Sequence, residues 1–497
     1  MQAAPVIDLV IIGSGMGGAT LAAALGPTGR RVLILERGER LKASAEARDD
    51  RAIWGRGHFR PAEAWLDGEG RPFSPGNYAC VGGNSKFYGA VLMRYREADF
   101  RPVRHLGGTT TGWPFPYREI ERHYAAAEVM YEVRGAPGDP TEPPRSGPFP
   151  HGPVPDEPAV ADLRRRLARA GLTPSALPLG VDVERWLEGG QTPWDAFPGV
   201  TPGKMDAETV GLARALAHSN VSLRTGARVV RVLAEGGRVA GVELEGGERI
   251  AAGAVALCAG AVMSAALLLA SATEGHPRGL SNGSDQVGRN FMNHNLSGVL
   301  ALRPFRRNRS VYQKTIQAND FYLTGGPGGA PLGNIQMLGK VSAAMLMAET
   351  PMPAPLARWI AARSLDLLAM SEDLPHPDSR VSLREGQVAL DWRRSNWEAH
   401  EALVARLKAV LRRAGYPIVL SRAFDRRTPS HQCGTARMGA DPATSVVDPW
   451  CRSREVGGLW IVDASVLPTS AAVNPALTVA ALALRAAERM AGEGLAA

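Results

Sequence analysis

The spacing of apolar positions changes several times along the chain, and each change marks an element. A continuous apolar run, Val10 to Ile12, meets a glycine turn; an Ala/Leu-rich stretch follows, and "RRVLILE" supplies a second apolar strand. Strand, turn, helix and strand within residues 7 to 38 predict one βαβ unit. Residues 41 to 112 hold no sustained period and read mostly as loops, with a glycine-punctuated turn at 78 to 94. Apolar periodicity returns at 112 to 135, 157 to 170 and 206 to 218, each predicting a helix, while the Pro- and Gly-rich residues 136 to 160 read as a linker. Alternating positions and tight glycine turns from 220 to 260 predict strands, the last of which, "AVALCAG", feeds the helix "AVMSAALLLAS". Strands are mixed with a Met-rich helical region at 341 to 370 and a helix at 396 to 415; the tail gives a strand, a turn and a long Ala/Leu helix. There is no internal repeat.

At 497 residues and 45% hydrophobic content, the chain has material for two or three domains with sizeable cores. Its net charge of +8 comes from scattered arginines with no aromatic-interleaved basic stripe, which argues against a nucleic-acid partner. Four dispersed cysteines make neither a disulfide framework nor a metal-ligand spacing, so no metal is expected and a reducing cytoplasm is. The first residues run straight into an apolar strand without a targeting pattern. No apolar run reaches the roughly 20 residues of a membrane span.

The first turn carries chemistry. Gly13, Gly15 and Gly18 fit G-x-G-x-x-G between strand and helix: the first makes the turn, the second admits a pyrophosphate to the backbone, and the third lets helix pack on strand. Glu36, ending the second strand, is placed to bind ribose hydroxyls, so the unit reads as a dinucleotide cradle. Arg37 is taken with the cofactor contacts; alone it hints at a 2′-phosphate, and a surface arginine is the plainer reading.

Three dispersed strand-bearing pieces suggest one large cofactor domain interrupted by insertions. Nearly end to end, the chain resembles the glucose-methanol-choline (GMC) oxidoreductase family, above all its sugar and polyol branch. The resemblance rests on the fingerprint through Glu36, "VGGNSKFYGAVLMR", "GWPFPYREIERHY", "LRTGARVVRV", "ALCAGAVMSAALLLAS", "SEDLPHPDSRVSL" and the tail from His431 to Leu482. It implies an α/β, two-domain architecture: a discontinuous Rossmann-like FAD-binding domain (1–150, 215–295 and 425–497) and a substrate-binding domain with an antiparallel sheet (151–214 and 296–424). It places Gly13, Gly15, Gly18 and Glu36 on the ADP half and Val229 at the adenine. Gly82, Gly83, Asn84, Ser85, Gly89 and Ala90 fall along the middle of the cofactor, Asp463 and Ala464 near the ribityl and pyrophosphate, and Asn474 and Pro475 beside the ring, with Ala259 a further cofactor contact. The histidine that tethers flavin covalently in some members is missing from "SKFYG", so FAD is expected to be non-covalent.

Oxidising an alcohol removes a hydride from carbon and a proton from oxygen, and a base must take the proton because free alkoxide is negligible near neutral pH. Imidazole suits that task. The family's "His-x-x-Gly-Thr" turn matches His431 to Thr435, and its second catalytic position falls at Asn474. The resemblance therefore implies His431 as general base and Asn474 as the donor that fixes the substrate oxygen. Gln336 is a candidate pocket residue, His294 and a buried Cys433 read as structural, and the methionines at 345, 347, 352 and 370 as core or pocket wall. The expected substrate is a sugar, glycoside or other polyol, and the electron acceptor is O2, giving hydrogen peroxide, or a quinone-type carrier. Rival readings are the same chemistry on a sterol or other apolar alcohol, and a non-catalytic FAD-carrying subunit.

Overall fold

The computed structural model describes residues 7–428 and 431–495. The N-terminal residues 1–6, read above for targeting signals, lie outside the described residues. The strand Ile7–Ile12 is the centre of a seven-stranded sheet. It pairs in parallel with Val32–Leu35 on one side and with Arg249–Leu257 on the other. Val221–Arg224 extends the first edge, and Leu459–Ile461 adds in parallel to Arg249–Leu257. The antiparallel pair Val229–Glu235 and Arg238–Leu244 completes the sheet. The central strand is buried from Leu9 to Ile12, which is why its sequence is uniformly apolar. The helix Met16–Leu25 covers the sheet and packs against the C-terminal helix Ala476–Glu493, so the last element of the chain closes over the first.

The second sheet is antiparallel throughout. Its order is Ile418–Ala423, Asn295–Leu302, Ser364–Ser371, Asn334–Met337, Ile316–Ala318 and Ser175–Ala176. Val299, Ala301, Ile316, Ala318, Ile335, Met337, Leu365, Leu367 and Ala369 form one core with the helices Pro158–Arg169 and Trp397–Arg413. Side chains alternate across a strand. Gln317, Asn334 and Gln336, at the intervening positions, therefore point away from that core.

Three expectations change. Residues 364 to 371 form a central strand, and the helical part of the Met-rich region is limited to Ala343–Glu349 and Ala354–Ala361. Every residue of that strand is buried, and a central strand without alternation looks like a buried helix from its apolar pattern. Residues 136 to 160 are no loose tether: Asp139 forms a buried ion pair with Arg96 at 2.5 Å, which ties the stretch to the "MRYR" segment. The helix expected over 112 to 135 is confined to Glu121–Met130 after a single turn at Tyr117–Glu119. Among the described residues no helix is long and apolar enough to cross a membrane.

Candidate active site

The glycine turn is built for close approach. Gly13 has φ +102°, and a Cβ there would lie 2.4 Å from the Cys258 carbonyl oxygen; one on Gly18 would lie 2.1 Å from the Gly13 oxygen. Gly15 differs: a Cβ would meet nothing within 4 Å, and one on Gly83 would find only the Gly15 Cα, at 3.7 Å. The two glycines lie close together, and no other residue crowds either one. Gly15 also caps the helix Met16–Leu25, whose first turn has neither a side-chain cap nor an acidic residue, so its amides and dipole are available to an anion. Glu36 is buried beside them and accepts from Ser14 N at 3.1 Å, Ser14 Oγ at 2.6 Å and Gly38 N at 2.9 Å. An open glycine slot, free helix amides and a carboxylate at the end of the second strand fit a dinucleotide.

A second construction lies at the turn of residues 431 to 435. Cys433 exchanges two backbone hydrogen bonds with Met292, each 3.0 Å. Gly434, at φ +92°, would bring a Cβ within 2.4 Å of the Asn290 oxygen, so only glycine fits. Thr435 Oγ1 donates to the Ala261 carbonyl at 2.5 Å, and Gly434 N donates to the Ala464 carbonyl at 3.1 Å. The turn is thereby stitched to the start of the helix Ala261–Ala270 and to Asp463–Ala464. Asp463 holds that junction: its carboxylate accepts from Gly260 N, Ser264 Oγ, Ser465 N and Ser465 Oγ.

Held this way, with φ +71°, His431 meets two partners. Its Nε2 lies 3.1 Å from Asn474 Nδ2, and its Nδ1 lies 2.8 Å from His294 Nδ1. His294 Nε2 in turn lies 2.6 Å from the Ala471 carbonyl oxygen and 3.0 Å from that of Ser470. Carbonyls only accept, so His294 carries its proton on Nε2 and presents a lone pair at Nδ1. His431 then donates from Nδ1, and its Nε2 lone pair faces Asn474. Burial pushes the His431 pKa well below the ordinary imidazole value, and the adjoining His294 ring and the Lys314 ammonium add to the effect. Lys314 is itself paired with Asp195 at 2.8 Å. Burial lowers the His294 pKa as well, against its bonds to the Ala471 and Ser470 carbonyls. Both shifts favour the neutral ring, and a neutral His431 keeps at Nε2 the lone pair that accepts a proton.

The chain is similar to known proteins along nearly its whole length. The GMC oxidoreductase family matches residues 375–483, and the FAD dependent oxidoreductase family matches residues 8–281. The chain is 30% identical to 6'''-hydroxyparomomycin C oxidase of Streptomyces lividus over 97% of its own length and 91% of that protein's. This chain belongs to the GMC oxidoreductases. A second member, the 2-methyl-1,2-propanediol dehydrogenase of Mycolicibacterium austroafricanum, is 27% identical across 97% of this chain and 94% of its own. The solved structure of pyridoxine 4-oxidase from Mesorbium loti superposes with a TM-score of 0.66 at 21% identity, covering 97% of this chain and 98% of its own, and shares the fold. As a GMC oxidoreductase the protein is an FAD-dependent enzyme acting on CH–OH groups.

The residues expected at the GMC site fall as follows. His431 and Asn474 are brought together. Gln336 Nε2 donates to Asn474 Oδ1 at 3.0 Å and so orients the amide beside the base. Pro475 precedes the helix Ala476–Glu493, and Val229 opens its strand near Ala227, whose amide donates to the Glu36 carbonyl. Ser85 is buried, its Oγ accepting from Ala207 N, and the exposed Asn84 accepts from Tyr78 N through Oδ1, while Gly82 N donates to Ser14 Oγ. Ala259 N donates to Ser264 Oγ at 3.2 Å. Gly89 is packed against Asp195 and Lys314, and Ala90 adopts φ +55°. Arg37 departs from its placing with the cofactor: its guanidinium makes two bonds to Glu63, at 3.2 and 2.7 Å, so it is occupied by protein.

His294 corrects the sequence reading, because a residue taken as structural touches the base directly. Its sequence signal is faint: "NHN" ahead of a strand, with Asn293 N anchored to Asp373 at 3.0 Å. Asn319, Asn334 and Lys314 were also missed. The amides were visible in principle, since Gln317/Asn319 and Asn334/Gln336 are polar pairs two apart in apolar strands.

Proposed function

We propose that this GMC oxidoreductase oxidises a hydroxyl of a sugar, glycoside, aminoglycoside-like or other polyol substrate to a carbonyl, with His431 as general base and Asn474 holding the substrate oxygen. The observation that carries the reading is the His431–Asn474 pair, in which the Nε2 lone pair takes an amide hydrogen of Asn474. A substrate hydroxyl that replaces this bond donates its proton to Nε2 and accepts from Asn474 Nδ2, so oxygen charge is met as it develops. His294 holds the ring in the tautomer that makes this possible. FAD, when bound, accepts the hydride and passes the electrons to O2 or to a quinone-type carrier.

Gly13, Gly15, Gly18, Gly83 and Glu36 would hold the dinucleotide half, and the turns at 82–90 and 463–464 the middle. The cofactor is non-covalent, as "SKFYG" offers no tethering histidine. The chain divides into an FAD-binding part (1–150, 215–295, 425–497) and a substrate-binding part (151–214, 296–424), a division supported by the two largest sheets, each drawn almost wholly from one part, while a four-stranded sheet pairs Trp65–Asp67 with Gln387–Asp391 across it. The polyol reading draws on two relatives named for an aminoglycoside and a diol, and on the run of amides beside Asn474.

The test is anaerobic bleaching of the flavin band with a panel of glycosides, aminoglycosides, diols, aliphatic alcohols and sterols, followed by readmission of air. Bleaching by polyols supports the proposal. Bleaching by sterols alone overturns the substrate class, and none by any alcohol overturns the enzymatic reading.

A further inference from the structure

A chain of hydrogen bonds runs from the base into the antiparallel sheet, and its polarity is fixed at both ends. At the far end, Asp139 Oδ2 is a carboxylate oxygen that only accepts, and it takes Asn319 Nδ2 at 2.7 Å. Asn319 Oδ1 then accepts from Asn334 Nδ2 at 2.7 Å, and Asn334 Oδ1 accepts from Gln336 Nε2 at 3.1 Å. At the near end, the Ser470 and Ala471 carbonyls fix His294, His294 fixes His431, and His431 fixes Asn474 with its amide hydrogens toward the ring. Asn474 Oδ1 must then accept, and it takes Gln336 Nε2 at 3.0 Å.

Both ends demand the same thing of Gln336: its two amine hydrogens are spent, one on each neighbour. Turning the amide over would set its oxygen against two other amide oxygens. Its Oε1 is left over. Gln336 is 1% exposed, and Oε1 is buried without a hydrogen-bond partner. A buried amide oxygen without a donor is an unmet demand. None of the amides along the chain donates to it: Asn334 Nδ2 is turned to Asn319 and Asn474 Nδ2 to His431.

We propose that Gln336 Oε1 is the acceptor for a second hydroxyl of the substrate, on a carbon one or two bonds from the one oxidised. The inference rests on the reading of His431 and Asn474 above and narrows it: the enzyme selects 1,2- or 1,3-diol units over lone alcohols. Gln336 is joined to Asn474 by a single hydrogen bond, so the donor its oxygen can reach belongs to a hydroxyl close to the one oxidised rather than to a distant group. A site holding a buried acceptor rejects an analogue that lacks the donor, because that acceptor then stays unpaired in the complex.

The test uses matched pairs and flavin reduction under anaerobic conditions. 2-Methyl-1,2-propanediol is compared with 2-methyl-1-propanol, which lacks only the tertiary hydroxyl, and methyl β-D-glucopyranoside with its 4-deoxy analogue. The wild-type enzyme is expected to favour the fuller partner in kcat/KM by at least about 10-fold in the pair it accepts. Gln336→Met, which keeps the side-chain length, is expected to bring that ratio to within about 3-fold of one, whatever it does to the absolute rates. A wild-type ratio near one overturns the proposal while leaving the base and its partner intact, and that comparison needs no variant. A Gln336→Met protein that keeps the wild-type ratio overturns it too. Absence of reduction by every compound, in protein that holds FAD, contradicts instead the reading of the site on which the proposal rests.

Discussion

Replacing His294 by phenylalanine keeps an aromatic ring in a buried position and removes the acceptor for the His431 Nδ1 proton, now 2.8 Å away. Two outcomes are open to His431, and both are costly. It keeps the proton on Nδ1 as an unsatisfied buried donor, at about 1–3 kcal/mol, or it moves the proton to Nε2, where it opposes Asn474 Nδ2 and fills the lone pair that must accept from substrate. A penalty of about 1–3 kcal/mol on the reactive tautomer lowers the rate of flavin reduction by about 5- to 150-fold. His294→Gln is the control, because its carboxamide can accept from His431 and donate to the Ser470 and Ala471 carbonyls at once; it is expected to recover most of the rate. The assay is anaerobic stopped-flow reduction with the best substrate of the panel, on protein whose FAD content and melting temperature match wild type. His294→Phe reducing at the wild-type rate refutes the tautomer argument, as does a His294→Gln variant no better than His294→Phe.

Four other outcomes are expected. Because the His431 pKa lies well below 6.5, the base is free throughout the neutral range, so the ascending limb of kcat/KM against pH lies on the acid side of 6.5; Lys314→Met removes a nearby positive charge and moves that limb upward. Gly15→Ala folds, since its Cβ meets nothing, yet purifies with little FAD, whereas Gly18→Ala forces its Cβ onto the Gly13 carbonyl and loses soluble protein; circular dichroism and the visible spectrum separate the two. His400, buried between Ser297 and Ser371, has its pKa lowered to about 3, first by burial and then by Arg394. Its neutral form is favoured by the fold, so its contribution to stability is complete above the unfolded pKa near about 6.5 and is lost as pH falls; melting temperature declines below that point, less steeply in His400→Gln. Acid precipitation is expected to release all flavin into the supernatant, and yellow colour retained in the pellet contradicts non-covalent binding.

What the sequence disclosed follows from how local each signal is. The glycine fingerprint and Glu36 belong to one βαβ unit, so spacing alone located them. His431 and Asn474 are 43 residues apart, yet each sits in a short turn of distinctive composition, and their pairing could be carried over from the family pattern. His294 is 137 residues from His431 and meets it because the Met292–Cys433 backbone pairing aligns two loops, a contact no local pattern encodes. Residues 364 to 371 misled for the opposite reason: flanked by strands on both sides and buried at every position, they lost the alternation that distinguishes a strand. Asp139 was hidden by its company, since prolines and glycines mark a break in regular structure but say nothing of whether the segment is anchored. The amides of the second sheet are intermediate. Their two-residue spacing was legible, while the direction of their hydrogen bonds required both ends of the chain to be seen together.

The central claim is that His431 takes the proton. Its most direct test is anaerobic flavin reduction by the preferred polyol in His431→Ala, on protein that folds and holds FAD as wild type does. A reduction rate lower by about 10²- to 10⁴-fold is predicted, with substrate binding largely kept. Reduction of the flavin by His431→Ala at the wild-type rate would contradict the account.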